Sequence, residues 1–191
     1  VRLPQEDMCQ ATGTSPLLKY QSDGGPGITS IMDLLLGSDN AEQDRNTFFK
    51  TQIIFWVLAA TDGHGKNFSI ALHAGARYRA TPIYDVLSAH PVIGTGRNQI
   101  PPQKAKLAMA VRGSSNHYLI DKIQRRHWIA QAQHVGLGAA AAERLIEEVT
   151  EATETVIGEV EKLPPDEFPM DVAEAIFNGM RRQSTKLAAA H

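Results

Sequence analysis

An apolar run of eight residues, Ile53 to Ala60, leads directly into the polar segment Thr61 to Lys66. A run that is apolar on every face predicts the last turns of a helix that is buried on all sides. We expect this helix to begin at Ala41 or Asp44. Because the polar segment starts where the buried helix ends, the helix determines the direction in which that segment points.

Residues 68–82 alternate between apolar and polar side chains, with a Gly-containing break in the middle. Two alternating runs joined by a short loop are typical of a β-hairpin. Strands that fold back about Gly75 or Ala76 have cross-strand partners whose numbers sum to about 152. Asn67 is therefore expected to face Asp85 across the open end of the hairpin, where two oxygen ligands meet.

Asp62 lies five residues before Asn67, close enough to point into the same space. A hard cation such as magnesium prefers oxygen ligands and keeps waters and substrate phosphates, so one Asn and one Asp are a sufficient protein share. Phosphoryl transfer needs such a metal together with a residue that orients or deprotonates the attacking hydroxyl. The pattern indicates this chemistry, with Asp62 as base, Asn67 and Asp85 as metal ligands, and His64 and Lys66 available to anionic charge.

A plainer interpretation of the same motif also exists. Asp62-Gly63 taken alone is typical of a helix-ending turn, in which Gly adopts a positive φ and the neighbouring polar residues are solvated. The presence of Asn67 and Asp85 at the expected positions favours the catalytic interpretation.

Five segments of the chain resemble the HipA family, the serine/threonine kinase toxins of bacterial toxin–antitoxin modules. The segments are Thr61–Ser69, Tyr84–Ser88, Leu3–Gln10, Ser22–Ile28 and Lys106–Met109. The first two are also similar to the catalytic loop and metal-binding Asp of protein kinases, and the His two residues after the Asp is closer to lipid-kinase-like enzymes.

The resemblance extends from Arg2 to about Pro169 and implies a fold. The expected fold is mainly α with a small β-hairpin, the C-terminal (large) lobe of a protein-kinase-like structure, over residues 1–183. Residues 184–191 resemble an expression-vector tail and are expected to be disordered or vector-derived. No phosphate-binding loop or nucleotide lysine precedes Asp62, so we expect the chain to be a lobe of a longer protein that is inactive alone.

The same resemblance implies a role for each residue of the motif. Asp62 is the implied catalytic base, and the implied magnesium ligands are Asn67 and Asp85. The implied nucleotide contacts are His64, Lys66, Tyr84 and Asp85. Lys66 lies where a contact with the γ-phosphate of ATP is possible.

The resemblance also implies partners. They are ATP, a protein substrate for which a tRNA synthetase is the family's suggestion, and a DNA-binding antitoxin through which DNA is contacted only indirectly. Two hypotheses follow: a kinase lobe that transfers the γ-phosphoryl group, or a non-catalytic module that docks the antitoxin.

Composition sets the remaining limits. A length of 191 residues with 42% hydrophobic content suits one domain with a sizeable core. A single cysteine, Cys9, excludes an internal disulfide and suits a reducing cytosol, so a cytoplasmic location is expected. The longest apolar run has eight residues, well short of the ~20 that span a bilayer, so no membrane partner is expected.

The charge is unevenly distributed although the net charge is only −2. Residues 97–127 contain seven Lys or Arg against one acid, and residues 143–174 contain eleven Asp or Glu against two bases. Two interpretations are open: an anion-binding face beside its counterweight, or two solvated faces that pair with each other.

The rest of the chain reads as helices separated by loops. The loop Ser22–Gly27 either enters the next helix or, within the HipA resemblance, lies near the cleft. His90 is expected at the surface, and scattered His residues without Cys partners do not indicate a zinc site. The further predicted helices are Leu3–Ala11, Ile28–Leu36, Ser115 or Asn116 to His134, Ala139–Lys162 and Asp171–Gln183.

Overall fold

The structure is a computed structural model that describes residues 4–163 and 169–189. In chain order the elements are β1 (Gln5–Asp7), α1 (Met8–Ala11), α2 (Ile28–Leu34), α3 (Ala41–Val57), β2 (Ser69–His73), β3 (Arg77–Ala80), β4 (Lys106–Arg112), β5 (Asn116–Leu119), α4 (Arg125–His134), α5 (Ala139–Val160) and α6 (Met170–Ala188). The chain is mainly helical, as predicted, and its strands form two small antiparallel sheets.

The central helix is α3, and it is buried around most of its circumference. Phe49, Ile53 and Trp56 are fully buried, and the Trp56 indole donates to the carbonyl of Ile120 at 3.0 Å. Arg45 on the same helix is also buried, with its guanidinium on the carbonyl oxygens of two distant residues. Buried polar groups with partners cost little, so the helix can lie inside the core along its length.

The end of α3 directs the chain into the site. Ala59 has a φ of +51°, and the amide of Ala60 donates to the carbonyl of Phe55 at 2.7 Å. A residue in the left-handed region directly after a helix is a common C-terminal cap, because it turns the chain and satisfies free carbonyls. The helix therefore ends at Val57, three residues before the predicted end at Ala60.

The predicted hairpin is present as β2 and β3. Their partners run from Ile70 with Ala80 to His73 with Arg77, so the numbers sum to 150 rather than the expected value of about 152. The loop turns at Gly75 and Ala76, which have φ values of +79° and +57°. The hairpin thus turns where the sequence predicts, but the numbers of its paired residues sum to two less than expected.

The N-terminal segment is a strand where a helix over Leu3–Ala11 was predicted. β1 pairs with β2, so that Asp7 lies opposite Ser69, and only Met8–Ala11 is helical. Asp7 caps this short helix, because its carboxylate accepts from the amide of Gln10 at 2.9 Å. The helix prediction failed because pairing with a distant strand satisfies the backbone of these residues.

A second sheet replaces the first half of the helix predicted from Ser115 or Asn116 to His134. β4 and β5 pair antiparallel, and the helical part starts only at Arg125 with α4. Residues 107–111 of β4 are all buried, which explains why this run lacks the alternation of a half-exposed strand.

The C-terminal helices α5 and α6 pack against each other and against α3. α6 continues to Ala188, and Leu187 is fully buried in the main core. Residues 184–188 are thus helical rather than disordered, because Leu187 gains apolar burial as part of the helix, and a vector origin of residues 184–191 stays a prediction. Residues 190 and 191 lie outside the described part of the chain.

His90 is buried, although a surface position was expected. Its Nε2 lies 2.9 Å from the carbonyl oxygen of Val57, and its ring covers Gly179 of α6. Burial lowers the pKa of His90, and the charge of Arg182 acts in the same direction. Cys9, by contrast, is a free thiol and is buried. Within the described residues, no helix combines the length and apolarity needed to cross a bilayer.

Candidate functional site

The site loop, residues 61–69, is a tight turn between α3 and β2. The amide of His64 donates to the carbonyl of Asp62 at 2.8 Å, and the amide of Asn67 donates to the carbonyl of His64 at 2.9 Å. A Cβ on Gly63 would lie 2.3 Å from the ring of Phe55, and one on Gly65 would lie 2.5 Å from Pro26. Glycine is required at both positions because the backbone packs directly on neighbouring side chains.

Asn67 and Asp85 meet, as the hairpin predicted. The Asn67 side chain is 3% exposed, its amide oxygen accepts from the amide of His64 at 3.1 Å, and its amide nitrogen donates to the Asp85 carboxylate. The contact forms beyond the end of the strand ladder, which stops at Ala80. A buried amide with both ends bonded has one orientation, so it holds Asp85 beside the site loop.

Asp85 itself has an uncommon backbone conformation. Its φ is +56°, in the left-handed region that non-glycine residues rarely adopt. The residue is exposed, and so are its neighbours Tyr84, Val86 and Leu87. Strained backbone of this kind concentrates at functional sites, because surrounding structure must hold it in place.

Asp62 carries an exposed carboxylate at the opposite end of the turn. Its Oδ1 accepts a hydrogen bond from the hydroxyl of Tyr20, and 52% of its side chain is exposed. The hydrogen bond to Asp62, followed by burial, raises the pKa of Tyr20 to about 12. Tyr20 therefore keeps its proton and acts as a donor at neutral pH.

His64 lies between the two carboxylates. Its Nε2 is 3.9 Å from Asp62 Oδ1, and the charges of both Asp62 and Asp85 act on its ring. Burial first, and then the charge of Lys19, lower the pKa of His64 in spite of these carboxylates. The lowered pKa favours the neutral imidazole at physiological pH, so the ring adds no positive charge between the two acidic groups.

Lys66 and Tyr84 make their main contacts outside this cluster. The Lys66 ammonium pairs with the Asp7 carboxylate at 2.9 Å, which raises the pKa of Lys66. The Tyr84 hydroxyl donates to the carbonyl of Lys66 at 2.9 Å and lies 2.6 Å from the hydroxyl of Ser69. Both residues support the start of the hairpin, and the Lys66 ammonium is held in the ion pair with Asp7 of β1.

Sequence reasoning missed the participation of Lys19 and Tyr20. The Lys19 carbonyl accepts from the amide of Gly65 at 3.1 Å, and the Tyr20 ring meets the His64 ring edge-on at 5.2 Å. Pro26 also packs on Gly65, so the loop Ser22–Gly27 does lie beside the site loop. The sequence signal for their participation is their position just before the loop Ser22–Gly27.

The oxygen atoms of Asn67 and Asp85 can hold a small hard cation only if waters or a bound ligand supply further oxygen atoms. Within residues 4–163 and 169–189 no three His, Cys, Asp or Glu side chains group closely enough to hold a metal ion. Asn67 and Asp85 are a two-residue share that magnesium accepts when waters and phosphates complete its shell. The cavity that touches Asn67 has a volume of only about 20 Å³, so a nucleotide would have to lie on the open face of the site.

Comparisons with known proteins show what the chain is similar to. Residues 1–157 match the family model described as the HipA-like C-terminal domain. The chain is 29% identical over 160 residues to a Sinorhizobium fredii protein named "Putative kinase Y4mE", an alignment that covers 83% of this chain and 35% of that protein.

The fold also matches a solved structure. A chain of the Shewanella oneidensis MR-1 complex of toxin–antitoxin proteins HipA and HipB with operator DNA superposes with a TM-score of 0.81 at 18% identity. The match covers 98% of this chain and 44% of that chain. The present chain thus spans less than half the length of the proteins that it matches.

Proposed function

Because this chain belongs to the family of HipA-like C-terminal domains, we propose that it is the catalytic, kinase-like lobe of a longer protein. That protein transfers the γ-phosphoryl group of ATP to a serine or threonine hydroxyl of a protein substrate. One observation carries the proposal: buried Asn67 binds Asp85 at one end of a six-residue turn whose other end presents the exposed carboxylate of Asp62. The Sinorhizobium relative is named a putative kinase, which supports phosphoryl transfer as the activity.

Asp62 is the general base. Its carboxylate is half-exposed, so a substrate hydroxyl can approach it, and the turn to Asn67 keeps it close to the metal ligands. The base accepts the hydroxyl proton as the oxygen attacks the γ-phosphorus, while the bond from that phosphorus to the β,γ-bridging oxygen breaks and ADP leaves. General-base catalysis of this kind contributes about 10²- to 10⁴-fold to the rate.

Asn67 and Asp85 are the magnesium ligands. Asp85 would supply a carboxylate oxygen, and Asn67 would supply its amide oxygen, whose two lone pairs allow it to bind a cation while it accepts from the amide of His64. When bound, magnesium supplies positive charge that neutralises the phosphate oxygens. The neutral His64 holds the amide orientation through its backbone N–H and adds no competing charge.

Two other residues border the nucleotide in this proposal. Tyr84 is exposed beside Asp85 and offers a ring edge to the ligand. Lys66 reaches a phosphate only by leaving Asp7, so its contribution to ATP binding is secondary. This chain spans less than half the length of the proteins that it matches, and we propose that the rest of the parent protein supplies the remaining phosphate contacts.

The test is mutation of the site in the parent protein. We expect Asp62→Asn to lower phosphoryl transfer by about 10²- to 10⁴-fold while magnesium–ATP binding persists. Asn67→Ala and Asp85→Ala should abolish magnesium-dependent nucleotide binding in calorimetry. Asp33→Asn, an exposed carboxylate on α2, is the matched control and should leave both unchanged. Phosphorylation retained in all three site variants would refute the proposal.

A second role, docking of a DNA-binding antitoxin, has separate support. Arg125 pairs with Glu143 and Glu147 on acidic α5, but no ion pair within the described residues engages the other Lys and Arg of residues 97–127. The superposed Shewanella structure contains a HipB partner and operator DNA. Binding of the isolated chain to the cognate antitoxin, without affinity for magnesium–ATP, would favour this role for the fragment.

The protein substrate is the least constrained part of the proposal. The family resemblance favours a tRNA synthetase, and phosphorylation assays with purified synthetases would identify it.

A further inference from the structure

The loop that carries Tyr20 is fastened to the site at several points. The carbonyl of Lys19 accepts from the amide of Gly65 at 3.1 Å, and the Gln21 side chain accepts from the amide of Ala110 on β4 at 2.7 Å. A Cβ on Gly25 would lie 2.1 Å from the carbonyl oxygen of Leu18, so the loop backbone folds tightly on itself. Tyr20 is therefore held in place by hydrogen bonds of both neighbouring residues, through the Lys19 carbonyl and the Gln21 side chain.

The hydroxyl of this fixed residue is bonded to the proposed base. It donates to Oδ1 of Asp62, and the Tyr20 ring meets the His64 ring edge-on, with an interplanar angle of 83°. The Lys19 ammonium lies over the Tyr20 ring, 5.1 Å from its centroid. Within the described residues no hydrogen bond engages Oδ2 of Asp62, so one carboxylate oxygen is occupied and the other is free.

We propose that Tyr20 is a positioning residue for phosphoryl transfer, because it holds the Asp62 carboxylate through Oδ1 and leaves Oδ2 for the substrate hydroxyl. This inference rests on the proposed function. An exposed aspartate otherwise rotates among several rotamers, and only some of them direct an oxygen at the acceptor. Tyr20 undergoes no covalent change: it keeps its own proton, and the proton of the substrate hydroxyl goes to Oδ2.

The expected size follows from the geometry. Small misplacements of a catalytic group cost up to about 10²-fold in rate, so loss of the tether should cost roughly 10- to 100-fold in kcat. The KM for ATP should not change, because Tyr20→Phe removes only the hydroxyl that bonds Asp62 and keeps the ring that meets His64.

The test uses Tyr20→Phe in the parent protein, with kcat and the KM for ATP measured separately. Tyr78→Phe is the matched control, since Tyr78 is a half-buried tyrosine of β3 whose hydroxyl donates only to the carbonyl of Leu34 at 2.5 Å. We expect a lower kcat in Tyr20→Phe only. An unchanged kcat would overturn the proposal, and so would an increase, which would mean that the hydroxyl competes with substrate.

The Asp62→Asn background separates positioning from a merely structural role. If Tyr20 acts through Asp62, then Tyr20→Phe should cause no further loss in single-turnover assays of Asp62→Asn; an equal loss there would overturn the inference. A second readout is the pKa of the Tyr20 hydroxyl, measured by NMR titration. In Asp62→Asn this pKa should fall from about 12 toward its ordinary value. Full activity of Asp62→Asn would instead refute the proposed function itself.

Discussion

Glycine and phenylalanine residues are tightly packed in the site loop but loosely packed in the helix pair α5–α6. Gly63 in the site loop is pressed against Phe55, whereas a Cβ on Gly158 in α5 would meet no atom within 4 Å. Phe68 at the end of the site loop packs between Phe48 and Phe55, whereas Phe177 of α6 lines a cavity of about 650 Å³.

This difference in packing follows from what each region must hold in place. The site loop depends on close contacts with particular distant segments, because its polar side chains must point in fixed directions. The helix pair needs only an apolar stripe on each helix, and it tolerates an open groove between them. Matched substitutions in the two regions should therefore differ in size and sometimes in sign.

The largest difference is expected between two phenylalanines. Phe68→Ala should lower the free energy of unfolding by about 3–5 kcal/mol, because the cavity forms inside an aromatic cluster. Phe177→Ala should cost only about 2 kcal/mol, the loss of apolar burial, because the side chain already borders an open groove. Urea unfolding of both variants measures the difference, and equal losses would contradict the comparison.

The two glycines should respond with opposite sign. Gly63→Ala should destabilise the chain by about 1–3 kcal/mol, because the new methyl group overlaps the Phe55 ring. Gly158→Ala should stabilise it by about 0.5–1 kcal/mol, because alanine is the better helix former and has room in α5. Thermal unfolding of the two variants should shift in opposite directions; a shift of the same sign would show that Gly63 is not tightly packed.

Each region also covers a histidine, which should make stability depend on pH. Burial lowers the pKa of His64 in the site loop and of His90 under α6. A base with a lowered pKa contributes stability above its ordinary pKa of about 6.5 and loses it as pH falls through the folded-state value. Replacing either residue by Gln should therefore reduce the loss of stability between pH 7 and pH 5.

The groups around each histidine decide which effect is larger. Asp62 and Asp85 oppose the shift at His64, while Lys19 increases it. His90 faces the Arg182 charge and no carboxylate contributes to its shift, so His90→Gln should flatten the pH dependence more. His134, exposed at the end of α4, provides the control variant. An unchanged pH dependence in His90→Gln would contradict the assignment.

The smallest effect is expected from surface ion pairs of the helix pair. Arg181 lies 3.1 Å from Glu154, with both side chains largely solvated, so Arg181→Gln should cost about 0.5 kcal/mol. Lys66→Met should cost more, because it leaves Asp7, only 14% exposed, without its cation. Urea midpoints at low and high salt should show a screened contribution for Arg181; a larger loss for Arg181 than for Lys66 would reverse the comparison.

Elements with a strong local pattern could be predicted from the sequence. α3, the hairpin and α5 have apolar periods that identify each element by itself, and their observed bounds lie close to the expected ones. The strands β1 and β5 were predicted as helix, because segments of three and four residues contain too few positions to define a period. Their conformation depends on the strand opposite, which lies elsewhere in the chain.

The candidate site divides in the same way. The nearness of Asn67 and Asp85 was predicted from the hairpin, although the paired residue numbers sum to 150 rather than about 152 and the contact forms beyond the strand ladder. The partner of Asp62 could not be predicted, because Tyr20 lies 42 residues away in a loop without regular structure. The ion pair of Lys66 with Asp7 depends on the pairing of β1 with β2 and was missed together with that strand.

The sequence by itself determined which residues carry oxygen ligands and charge, and that a buried helix delivers them to one turn before a hairpin. Only the tertiary structure decided which distant groups hold those residues: the Tyr20 hydroxyl on Asp62, the Asp7 carboxylate on Lys66, the α6 surface over His90. The physical reason is that periodicity and turn chemistry act between near neighbours, whereas a hydrogen bond or a packed ring needs two segments whose meeting the whole core determines.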